Sequence, residues 1–332
     1  MPIQSSEIIW KKPEEDSDAA SNGGRITAVA SPSDTANNDF PDVSQAELTS
    51  GLTRYRKRFV KVANDDDLTA QQMKIYIREH SAADDAVTFF IGSQRDTQND
   101  IVGTERQYGA GQLAADVAAA ATQITVNTEG AALNCFRDGD TILISDKGSV
   151  HATGGKREEA VISGAPSYAG DQATINLVAG LQNGYLAADT IVSSVYNAGD
   201  VNAIVDNYSV ASASGSFDDT NYPVVPDHIG GIEQSWTVTF TGATAFDVVG
   251  DTVGSVGSGS TAADFSPTNA DEGKPYFTIP SAGWGGTWAI GETMTFQTHP
   301  CAVSVWYKQT VPAGCAAFSN NKPWTGVMLQ SA

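Results

Sequence analysis

Four times along the chain, a run rich in β-branched residues is followed, after a short gap, by a small step of the Gly–acid–Thr kind into a second such run. ATQITV (121–126) leads to GDTILIS (139–145), and ATINLV (173–178) leads to ADTIVSSV (188–195). SWTVTF (235–240) leads to GDTVGSV (250–256), and PYFTI (275–279) leads to GETMTF (291–296). The Gly–acid pair suits a tight turn at a strand entrance, and the Thr opens a run of residues that fit a pleated surface. Two strand pairs per unit suit small barrels or sandwiches.

Composition points the same way. Val, Thr, Gly, Ala, Asn and Asp dominate, while Leu, Lys and Glu are scarce. With 332 residues the chain can build two ordinary domains and an appendage. The expected fold is all-β: consecutive β-sandwich or small-barrel domains with an extended N-terminal arm and long loops. Residues 1–50 read as the arm, 51–104 as a β-meander, 105–200 as a barrel or sandwich, 201–231 as a linker loop and 232–332 as a C-terminal β-domain. The meander is assigned from RYRKRFVKVAN, MKIYIRE and VTFFIG, and AADVAAAA (114–121) is the one helical run. The arm is polar and turn-rich, so its order has to come from a partner, with Trp10 and Phe40 as anchors along a strap; a disordered tail is the competing reading. Long loops at 205–228 and 254–275 suit a chain that reaches another molecule.

The net charge is −20, from 39 acidic and 19 basic residues. That balance argues against a nucleic-acid binder or a protein held on an anionic membrane. It fits plain solubility, and also a wall past which DNA slides without sticking. Sixteen of the nineteen basic residues precede Glu158, and five lie in RYRKRFVK. In a strand, Arg54, Arg56 and Arg58 share one face, with Tyr55, Lys57 and Phe59 on the other. Such a ribbon either docks on an acidic neighbour, the chain's own C-terminal half being one candidate, or is a solvated edge whose charges discourage pairing.

Motifs that carry chemistry are sparse. Cys135, Cys301 and Cys315 are odd in number and widely spaced, which argues against a disulfide framework and points to folding in a reducing cytoplasm. No signal peptide or membrane-spanning segment is expected. His80, His151, His228 and His299 show no metal-ligand spacing, and GSVGSGS lacks the Lys and Ser/Thr of a phosphate loop. The pairs Asp84–Asp85, Glu158–Glu159 and Asp218–Asp219 read as solvated turn residues before they read as a glycosidase pair. NDDD (64–67) lacks EF-hand spacing and reads as a turn. Trp284 and Trp288 in WGGTW read as exposed aromatics able to meet a sugar or a subunit, against ordinary core packing. No catalytic residue, cofactor or metal is expected.

SSEIIWKKP, NNDFPDVS leading into TRYRKRFVKVAN, YGAGQL and the run KPYFTIPSAGWGGTWAIGETMTFQTHPCAVSVWYKQTVPAG together resemble uncharacterised virion proteins of Mu-related tailed bacteriophages. The resemblance runs over most of the chain and carries no catalytic motif. It implies a structural protein of the virion, assembled in the host cytoplasm with copies of itself and other virion proteins, and most simply a tail-tube subunit. Phage DNA would then pass it without specific binding, and no membrane insertion is implied. A baseplate or tail-tip adhesin and a capsid decoration protein are the alternatives. On this reading Trp10, Phe40, Arg54, Arg56 and Arg58 are contacts between subunits.

Overall fold

Ten consecutive residue pairs join Leu52–Val62 to Ala302–Val311, so a strand from the C-terminal part of the chain is hydrogen-bonded along the basic strand. In the computed structural model, which describes residues 2–35, 37–128, 134–148, 152–319 and 321–331, this ladder is the centre of a five-stranded sheet. The order is Gly23–Ala30, Ile8–Glu15, Leu52–Val62, Ala302–Val311, Ala86–Ile91. A second layer, Ile191–Val201, Ala70–Glu79 and Trp324–Ser331, packs over it. Between the layers Val60, Met73, Ile75, Phe89, Val305 and Tyr307 close a core. The molecule is all-β, as the strand-forming composition predicts.

Three sequence expectations change here. The meander is not one: Ala302–Val311 lies between Leu52–Val62 and Ala86–Ile91, while Ala70–Glu79 sits in the opposite layer. The returning strand takes that central place because AVSVWYKQTV is apolar on both faces, and it is buried at eight of its ten positions. Hence 232–332 is not one domain, since its last two strands belong to the central body. The arm is not extended over a partner either. Ile8–Lys11 pairs with Phe59–Val62, and the segment then doubles back through Gly23–Ala30. Gly23 has φ +114, and a Cβ there would come within 2.9 Å of the Trp306 ring, so only glycine lets the backbone lie that close.

Two further cores hang on the central body. The first gathers Leu113, Ile124, Val126, Phe136, Ile144, Ile175 and Val192. The second gathers Trp236, Val238, Phe240, Phe246, Phe277, Trp288 and Phe296. Each is an insertion whose two ends are neighbours: Gln112 pairs with Ile191 at one, and Ile204 with His299 at the other. Within the first insertion the sequence repeat pairs like with like. Gln123–Thr128 pairs with Gln172–Asn176, and Thr141–Ser145 with Ile191–Val201.

Both expected loops supply edge strands to the second insertion, Ile204–Ala211 and Gly254–Ser260. The expected helix at 114–121 is absent. Val117 bridges to Tyr185 and the Ala120 amide donates to the Leu181 carbonyl, so backbone pairing overrules alanine propensity. The α-helix among the described residues is Gln45–Ser50, held by reciprocal bonds between Ser44 and Glu47.

Ending the chain after residue 301 is expected to abolish the cooperative unfolding of the central body, while the second insertion keeps its near-ultraviolet tryptophan signal. A truncated protein that melts like the full chain would contradict the closure described here.

Candidate functional site

The basic strand has two chemically different faces, as alternation predicts. On one, Arg54 donates to Glu47 at 2.6 Å and to the Pro41 carbonyl. Arg56 reaches Asp18 at 2.8 Å and Asp16 at 3.6 Å. Arg58 contacts Asp16 at 2.9 Å, Asp39 at 2.7 Å and the Asn38 carbonyl. These arginines are only 8%, 5% and 1% exposed, so they are internal ion pairs and not the contacts between subunits that the sequence suggested. The acids come from the N-terminal segment, not from the C-terminal half. Trp10 and Phe40 anchor that segment in cis: Trp10 lies 6.1 Å from the Tyr307 ring, and Arg56 covers the Phe40 ring at 5.9 Å.

On the other face Lys57 is fully buried, giving its ammonium to Asp96 and to the Gly24 carbonyl while lying 5.0 Å from the Phe59 ring. Lys61 donates to the Ile229 carbonyl and sits 3.7 Å from Glu272, which also accepts from Lys11 at 3.0 Å. Burial pushes the Lys57 and Lys61 ammoniums below their ordinary value. Burial would raise the Asp16 carboxyl, but hydrogen bonds and charge from Arg58 and Lys12 outweigh it and hold the group below 3.8.

This second face borders a cleft of about 170 Å³ between Gly23–Ala30 and the second insertion, lined by Glu14, Arg25, Lys61, Glu233 and Glu272 among others. Arg25 grips Asp251 with both terminal nitrogens, at 3.0 and 2.5 Å. Arg95 donates to the buried Glu233 at 2.6 Å. His299, at the exit of the insertion, holds Glu233 at 2.7 Å and Asp206 at 3.1 Å. The hydrogen bond to Glu233, opposed by burial and helped by Asp206, raises the imidazole above 6.5. Chemically this chain of alternating charges fixes the insertion on the central body.

The remaining expected sites dissolve into structure. Trp288 is 4% exposed and stacks on Phe240 at 4.1 Å; Trp284 packs edge-on to it at 5.5 Å and is half-buried. The WGGTW pair is therefore core, not an exposed platform. Asp85 is buried and accepts from Gln309 and Asn321, Glu158 caps the amides of Gln182 and Asn183, and Asp218 binds Asn221. In NDDD, Asp65 pairs with Lys274, and Asp67 accepts the His228 amide. His151 lies outside the described residues. Among the described residues no group of three or more His, Cys, Asp or Glu side chains is placed to hold a metal, and no helix is long and apolar enough to cross a membrane.

Sequence reading missed the acids that matter, Asp16, Asp18, Asp39 and Glu47, although the acidic run EEDSD (14–18), in the same N-terminal region as the basic run RYRKR (54–58), was a usable signal of complementary charge. It also missed Arg95, Glu233 and His299, whose separation along the chain offers no such signal.

No protein-family model matches the chain, and neither does any curated protein. Among solved structures, the infectious bursal disease virus VP2 subviral particle aligns over 87% of this chain and 80% of that one, at 12% identity and a TM-score of 0.13. An overlap that poor carries no conclusion about fold or function.

Asp16→Ala strips one carboxylate from two buried guanidiniums and is expected to lower stability by about 3 kcal/mol in denaturant unfolding. His299 supplies a pH signature. The folded chain holds its proton more tightly than the unfolded one, so its contribution is complete below pH 6.5 and is lost as pH climbs through the raised value. Melting curves across that range are expected to flatten in His299→Gln; an unchanged slope would remove His299 as the cause.

Proposed function

We propose that this chain is a structural subunit of a tailed-phage virion, placed in the tail and assembling with copies of itself, with no catalytic role. The observation that supports the reading is where the positive charge goes. Lys11, Arg54, Arg56, Lys57, Arg58 and Lys61, six of nineteen cations, are buried inside the chain. The whole chain carries a net −20, and these six cations are not on the surface to offset the acids there. A face of that kind repels the phosphate backbone, as a passage for DNA requires, and keeps a protein made in quantity soluble.

The phage assignment, and the tail tube as the leading place within it, rest on the resemblance of SSEIIWKKP and the late KPYFTIPSAGWGGTW run to virion proteins of Mu-related phages. With the N-terminal segment folded in cis, association has to run through module faces and strand edges such as Gly254–Ser260. An adhesin that grips glycan through Trp284 and Trp288 is disfavoured by the burial of Trp288.

Negative-stain microscopy and sedimentation of the purified protein over a range of concentrations test this. Rings or tubes are expected to form as concentration rises. Monomers at every concentration would overturn the self-assembling reading, and copy number per virion would separate a tube from a tip.

A further inference from the structure

The sheet that carries Ile191–Val201 rolls up on the face turned away from the central core. Strand pairing sets Lys74, Tyr76 and Arg78 on that face of Ala70–Glu79, with Val195 beside Tyr76. Two strands further, Leu143 stands opposite Glu159 and Ser145 opposite Arg157. In a flat sheet the outer strands of this set would lie about 14 Å apart, three strand spacings. Yet Lys74 Nζ lies 2.8 and 2.7 Å from the two Glu159 oxygens. The face is therefore a trough, floored by the buried cluster of Tyr76, Leu143 and Val195 and closed at one end by the Lys74–Glu159 pair.

The other end is open and differs in charge. Arg78, Lys147 and Arg157, from three separate segments, converge with the Tyr76, Ser145 and Ser193 side chains around a pit of about 30 Å³. Among the described residues no carboxylate lines it. Arg78 comes no nearer than 4.0 Å to Glu79, Arg157 hydrogen-bonds the Tyr76 hydroxyl, and Lys147 donates to the Ala152 carbonyl at 3.2 Å. The neighbouring Asp146 is engaged with Lys156. In the basic strand each buried cation meets an acid of the same chain. Here three gather and, among the described residues, the one carboxylate paired with any of them is Glu79, at 4.0 Å from Arg78, in a protein of net charge −20.

We infer that this pit is a binding site for a small oxyanion. Three like charges in a partly enclosed site repel more strongly than they would in open water. A phosphate or carboxylate relieves that repulsion and fills guanidinium donors whose planar fork matches its oxygens. Glycine makes room for Tyr76 on the next strand: a Cβ on Gly326 would fall 2.4 Å from its ring. The oxyanion is either free phosphate or a carboxylate offered by a second copy of this acidic chain, and the chemistry of recognition is the same. The inference stands apart from the virion reading.

Calorimetric titration with inorganic phosphate, against chloride at matched ionic strength, tests it. Saturable binding to the full chain is expected, weakened at least tenfold in Arg157→Gln and in Arg78→Gln and abolished in the double variant. Unchanged circular dichroism of the partly exposed Arg157→Gln keeps the comparison fair. Heat no greater than that from chloride, or equal binding by the double variant, overturns the site. Sedimentation with and without phosphate then separates the sources. Association that phosphate reverses identifies the second copy's carboxylate as the occupant, and association indifferent to phosphate identifies the free anion.

Discussion

The ladder between Leu52–Val62 and Ala302–Val311 is the constraint from which the rest follows. It joins segments about 240 residues apart on either side of both insertions, and it buries a strand that carries five cations. Those cations are tolerable only because acids reach them, and the N-terminal segment brings most of the acids. The segment is ordered because it neutralises Arg54, Arg56 and Arg58 while seating Trp10 and Phe40. Removing charge from a buried network exposes its partners to the full desolvation penalty, so the fold and its electrostatics stand together.

Much of this was legible from the residues. Strand content was plain, because alternation in RYRKRFVKV and the turn-led repeats reflect local rules. The pairing of those strands was not, because nothing local says that AVSVWYKQTV prefers Leu52–Val62 to its own neighbours. Alanine-rich 114–121 misled for the same reason, since its propensity is weak beside a backbone partner at Tyr185. The helix at Gln45–Ser50 was signalled by Ser44 and Glu47, and was hidden by the polar run around it.

The candidate sites divide along a similar line. Alternation placed the arginines on one face correctly, and could not say that the face is inside. Trp288 stacks on Phe240, a contact across strands far apart in sequence, so its burial was invisible until the module closed. The rolled trough beside Tyr76 depends on sheet curvature, which comes from packing and leaves no residue signature.

The paired ends of the two insertions have a mechanical consequence. Since Gln112 neighbours Ile191, and Ile204 neighbours His299, tension entering along Ile8–Glu15 and leaving along Ala302–Val311 can cross the central sheet without passing through either insertion. The central sheet is the beam, and the two modules are side brackets that lie outside that load path.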